Sequence, residues 1–194
     1  MFNDFAAFYA SFQHAWPEKN VDQAQANAYY GWYLNARSQN KIVLGREKDL
    51  QSLKDEYGLA EEGGRMLIGV KTWDIVVNDS WILGGIHAQS PFLLKTVLTF
   101  DSVYNVEQKN NPDQTRVMYV TTREIAGLNL FGYRKNTENA DGQLFLCEDK
   151  SAARDANFQD YRMHTQAVAA AALSCSNQAL KRPSPTSPTS AAYY

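Results

Sequence analysis

The sequence is short of the residues that advertise a chemistry. It holds two cysteines, Cys147 and Cys175, and three histidines, His14, His87 and His164. Two cysteines are too few for a disulfide framework, and ordinary thiols fit a reducing compartment. The histidines sit in separate segments without ligand spacing, so no metal site is assigned. Charge of either sign is not in excess: 19 Lys and Arg stand against 21 Asp and Glu. That balance argues against nucleic acid as a partner, because phosphate binding draws on a basic surplus. No apolar run approaches the roughly 18 residues of a membrane span, so no membrane partner is expected. The opening stretch, MFNDFAAFYASFQHAW, lacks a basic leader and is interrupted by Gln13 and His14. The expected location is cytoplasmic, or exported without a cleaved signal peptide.

Familiar site motifs are missing too. There is no P-loop, GxGxxG, HExxH, CxxC or GxSxG. No cofactor is therefore implied by motif.

What the chain does have is aromatic residues and clear helix patterning. Phe5, Phe8, Tyr9, Phe12 and Trp16 recur on one helical face, with Asn3 or Asp4 as cap and Pro17 as stop. A second helix is expected from Val21 to Arg37, with Ala28, Tyr29, Trp32, Tyr33 and Ala36 inward and Gly31 at a close contact. A third spans Arg46 to Tyr57, with Leu50, Leu53 and Tyr57 inward, closed by Gly58.

From Gly64 to Cys147 the composition favours strands: Met66–Val70, Trp73–Val77, Trp81–Ile86, Phe92–Phe100, Arg116–Thr121 and Gln143–Cys147 are rich in β-branched and aromatic residues. Asn78-Asp79-Ser80 reads as the turn of a hairpin between Trp73 and Ile86. Gln108–Thr115 reads as a polar loop. One helix interrupts, carrying Ile125, Leu128 and Phe131 and ending at Gly132. A long Ala-rich helix, capped by Asp149 or Ser151, should run to about Leu180. Beyond it, three prolines among Ser and Thr predict a disordered tail over residues 181–194. The fold class is thus α+β: a mainly antiparallel sheet packed by N-terminal helices and a long C-terminal helix, in one domain over residues 1–180.

Candidate site residues fall in two places. In Trp81–Pro91 a Gly84-Gly85 pair suggests a bulge or a close approach by another backbone or a ligand. His87 follows at the end of the run, either as a general base or as a histidine bonded within a loop. In Arg116–Glu124 a strand leads into a helix start bearing Thr121, Thr122, Arg123 and Glu124. The N–H groups there could hold an anion, or Thr121 and Glu124 could simply form a capping box. Cys147 beside Glu148 and Asp149 makes a poor nucleophile, since adjacent carboxylates raise a thiol pKa.

The order from Arg116 to Tyr161 is strand, short helix ending in Phe131-Gly132-Tyr133, strand, and Ala-bearing helix. Over that stretch the chain resembles part of the ADP-ribosyltransferase arrangement. The resemblance implies that His87 stands for the family's first-strand residue and Tyr133 for the aromatic after the glycine. The family's glutamate and Ser-Thr-Ser element have no counterpart here. Two functions are therefore expected. The first is a protein-interaction or accessory domain of bacterial or phage type, which binds a protein partner through an aromatic-rich surface. The alternative is a small enzyme, a toxin or effector acting on NAD or a nucleotide. Its catalytic residues would be His87, Arg123 and Glu124, and its ligand contacts Gly84, Gly85, Thr121, Thr122 and Tyr133.

Overall fold

Helix α1 (Phe5–Ala15) forms where its aromatic spacing predicts, and the Asp4 carboxylate accepts from Ala7 N at 2.9 Å to cap it. The computed structural model describes residues 1–71, 73–98 and 120–180. Helix α2 (Gln23–Arg37) is capped by Asp22 and buries Tyr29, Tyr33 and Ala36. Ala28, expected on that side, is exposed, and Trp32 is half-buried. Gly31 is exposed as well, and a Cβ built on it would meet nothing within 4 Å, so it marks no close contact. The expected third helix is broken into α3 (Glu47–Leu50), a 3-10 turn over Gln51–Leu53 and α4 (Lys54–Tyr57), with Leu50 inward.

The largest departure from the sequence reading lies between Trp73 and Ile86. In place of a hairpin there is one helix, α5 (Ile75–Ala88). Asp74 caps it, accepting from Val76 N at 2.7 Å and Val77 N at 3.0 Å. Every residue from Val76 to His87 is buried. A helix covered on all sides needs no polar face, so its sequence carries no amphipathic period. Its valines and isoleucines then look like a buried strand. The residues read as a turn lie inside it: Ser80 Oγ donates to Val76 O at 2.7 Å, and Asp79 pairs with Arg123.

The sheet comprises β1 (Ile42–Leu44), β2 (Phe92–Leu94), β3 (Tyr133–Asn139) and β4 (Gly142–Cys147), in the order β1-β2-β4-β3. β2 pairs antiparallel with β4, and β3 with β4, but β1 and β2 run parallel. The sheet is therefore mixed within an α+β fold. Parallel neighbours need a crossover, and α5 lies in the connection between them. The Met66–Val70 strand reduces to isolated bridges from Met66 to Val43 and Leu59. Of the Phe92–Phe100 strand, Phe92–Leu94 form β2, and residues 99–100 lie outside the described residues. Of Arg116–Thr121, Val120 and Thr121 begin α6 (Val120–Leu130). Residues 116–119, the Gln108–Thr115 loop and the 181–194 tail lie outside the described residues. Strand β3 was not anticipated, because six of its seven residues are exposed and it shows no alternation.

The C-terminal helix is two. Asp149 caps α7 (Lys150–Asp155), and α8 (Phe158–Leu180) follows after Ala156-Asn157. Asn157 caps α8, with Asp160 N donating to Asn157 Oδ1 at 2.9 Å and Asn157 Nδ2 donating to Asp160 Oδ2 at 2.8 Å. Phe158 reaches back to Phe2, Phe8 and Phe12, with ring centroids 5.8, 5.2 and 6.2 Å away. One core cluster so joins the N-terminal helices, α5, the inner face of the sheet, α6 and α8. Among the described residues no helix is long and apolar enough to cross a membrane.

Candidate functional site

The candidate residues gather at two places along α5: Gly84, Gly85 and His87 within its C-terminal half, where Tyr133 packs on them, and Arg123 and Glu124 of α6 against its N-terminal half. Near its C-terminal end, Gly84 and Gly85 are contact points. A Cβ on Gly84 would lie 2.3 Å from Tyr33 O, and one on Gly85 would lie 2.2 Å from Ile42 Cδ1. The close approach is thus by α2 and the sheet. Tyr133 is fully buried there, edge-on to Phe92 at 5.2 Å, with its hydroxyl 3.5 Å from Gly85 O.

His87 lies within α5, not at the end of a strand, and is 4% exposed. Its Nε2 is 2.8 Å from Ala156 O and its Nδ1 is 2.9 Å from the Tyr33 hydroxyl. A carbonyl only accepts, so Nε2 carries the proton and Nδ1 accepts from Tyr33. Burial pushes the imidazole down to about 4, which keeps it neutral. Both ring nitrogens are thus committed to the interior, linking α5 to α2 and to the α7–α8 corner.

Towards the N-terminal half of α5, the helix start read in the sequence meets a partner it did not show. Arg123 grips Asp79 with two bonds, Nη2 to Oδ2 at 2.6 Å and Nε to Oδ1 at 3.1 Å. Its Nη1 donates to Thr165 Oγ1, and its guanidinium lies 5.2 Å from the Tyr161 ring centroid. The two side chains are 12% and 1% exposed, so the pair is shielded from water. Burial raises the Asp79 carboxyl and the facing guanidinium pulls it back, while Asp79 raises Arg123 against its own burial. A guanidinium does not give up its proton, and its two close bonds to Asp79 favour the carboxylate form.

Glu124, 6% exposed, lies on the next position of α6. Burial raises its carboxyl to about 8; Asp79 adds to the rise and the Arg123 charge offsets part of it. The Asn78 amide beside it favours the charged form, yet neither Asn78 Nδ2 nor Glu124 Oε2 completes a hydrogen bond of good geometry. Thr121 is buried inside α6, so the capping box expected between it and Glu124 does not form. Thr122 is half-buried on the same turn. Gly127 lets α8 in close: a Cβ there would be 2.2 Å from a Tyr161 ring carbon.

The two groups are not brought together. Asp79 and His87 are eight positions apart on α5, roughly 12 Å along the axis. Of the partners, Tyr33 was legible only as a core position and Asp79 was misread as a turn. The N-cap Asp74 ahead of a long apolar run was the signal that could have placed Asp79 in a helix.

No family model, curated protein or solved structure matches this chain. The ADP-ribosyltransferase resemblance also loses its first-strand residue, since His87 is helical.

Two open grooves on the described surface lie away from these residues. One, about 410 Å³, lies where the end of α6 meets α7 and the start of α8. Leu130, Phe131, Ala152 and Met163 line it, with Asp155, Asp160 and His164. Met163 is 57% exposed. The other, about 500 Å³, is polar, between residues 38–40 and the turns around Gly58, Gly63 and Gly64.

Proposed function

We propose that the chain is a protein-interaction domain that binds a segment of a protein partner in the groove between α6, α7 and α8. One observation carries this reading. The groove is mostly apolar, includes an exposed Met163, and has two carboxylates but no lysine or arginine among the described residues that line it. Methionine suits adaptable binding surfaces because its side chain is unbranched and polarizable. The chemistry fits a peptide segment with a large apolar side chain flanked by Lys or Arg, whose charge the Asp155 and Asp160 carboxylates complement.

The aromatic surplus serves the core in this reading, with Phe8, Phe12, Tyr29, Tyr33 and Trp81 all buried. The enzyme alternative, on NAD or a nucleotide, draws less support. His87 and Arg123 line neither groove, and each has its polar atoms engaged inside the protein.

The test is selection of peptides from a random displayed library against the full chain, followed by calorimetric titration. Selected peptides are expected to pair a large apolar residue with a nearby basic one. Met163→Glu should weaken them at least tenfold while leaving the circular dichroism spectrum unchanged. If no peptide is enriched, or if those selected bind Met163→Glu as tightly as the parent, the reading is wrong.

A further inference from the structure

Three helices close over the buried polar cluster. α5 supplies Asn78 and Asp79, α6 supplies Arg123 and Glu124, and α8 supplies Tyr161 and Thr165. Asn78, Asp79, Glu124, Tyr161 and Thr165 are all at least nine-tenths buried. The cluster contains two carboxyl groups and one cation. Arg123 turns the edge that grips carboxylates, Nε with Nη2, entirely to Asp79. Glu124 Oε2, Asn78 Nδ2 and the Tyr161 hydroxyl have no hydrogen-bond partner among the described residues. Strand β3 also packs on α6, but its nearest cation, Arg134, is bound at the far end of the helix to Asn129 O and Tyr133 O.

We propose that this junction is a proton-controlled latch, in which protonated Glu124 holds α6 against α5 and α8 and loss of that proton releases the helix. With Glu124 neutral, Asp79 and Arg123 cancel and the buried cluster carries no net charge. Ionised Glu124 would put a second negative charge beside Asp79; among the described residues the other cation on α8 near this site, Arg162, is turned to Glu18 and Ala15 O, and Asn78 Nδ2 makes no hydrogen bond to receive the charge. Burying an unpaired charge is far more costly than burying a neutral acid.

The sign follows from linkage. The docked carboxyl is held at about 8, against an ordinary 4.5 once exposed. The docked state therefore keeps a proton that the released state gives up. Release is favoured up to tenfold per pH unit from about 4.5 to about 8, and no further above that.

Hydrogen–deuterium exchange of the full chain, corrected for the pH dependence of intrinsic exchange, reads the latch directly. Between pH 5.5 and 7.5 the protection of amides in residues 120–130 should fall about a hundredfold, while that of residues 23–37, lost only on full unfolding, should fall by less than about tenfold because His87 offsets part of the glutamate slope. In Glu124→Gln the protection of residues 120–130 should not vary with pH. The proposal is overturned if wild-type protection there is flat, if residues 23–37 fall in parallel, or if Glu124→Gln responds as the parent does. Should the variant not fold, carbon-13 titration of the wild-type glutamate carboxyls decides. One midpoint near 8 supports the latch, and midpoints all between about 4 and 5 end it.

Discussion

At the scale of single residues, the buried titratable groups set how folding answers to pH. His87 is neutral in the fold and ordinary in the unfolded chain, so its folded value of about 4 lies below its reference of 6.5. Acid therefore favours unfolding, and stability is lost as pH falls from about 6.5 to 4. Glu124 has the opposite slope, losing stability as pH rises from about 4.5 to 8. Between about 4.5 and 6.5 the two offset each other, and stability should be nearly level. In His87→Gln only the glutamate slope remains, so stability should keep rising as pH falls through that window, by up to tenfold per unit. Urea unfolding at pH 6.5 and 5 measures this, and parallel profiles for parent and variant would refute it. Little of this was legible beforehand. His87, Arg123 and Glu124 were picked out as residue types able to act, but what fixes their state is burial and partners. Tyr33 is 54 positions from His87, and Asp79 is 44 from Arg123.

At the scale of elements, caps and glycines separate what is local from what is not. Asp4, Asp22 and Asp149 cap their helices through contacts two or three residues away, and a cap of that range can be read from a short window. Gly132, at φ 82°, leaves α6 where the pattern placed it. Glycines inside helices cannot be read in this way. Gly31 and Gly84 look alike in sequence, yet one faces open space and the other sits against the α2 backbone. Gly31→Ala should stabilise the protein by about 1 kcal/mol, the usual helix-propensity gain. Gly84→Ala should destabilise it by roughly 1–3 kcal/mol or more, because the Tyr33 carbonyl cannot yield without moving α2. Chemical unfolding of the two variants measures the contrast, and equal effects would mean that α5 does not lie against α2 in this way.

At the scale of the whole molecule, the aromatic rings tie one end of the chain to the other. Phe158 stacks with Phe2 at 5.8 Å and meets Phe8 edge-on at 5.2 Å, so α1 and α8 share one core. Phe158→Ala should cost about 3–5 kcal/mol, as for a large buried aromatic. The loss should appear in a single transition, with near-ultraviolet dichroism and tryptophan fluorescence changing together. Two separated transitions would show that these helices fold as independent units.

Sequence alone determined the two N-terminal helices, the capping positions at Asp4 and Asp149, and an aromatic face that had to be covered. These are properties of a few consecutive residues with a definite period. Tertiary structure decided that Ile75–Ala88 is a helix, that β1 and β2 run parallel, and that Arg123 pairs with Asp79. All-round burial erases the period that distinguishes helix from strand. Charge pairing across 44 residues depends on which helices pack together, and no local window contains that information.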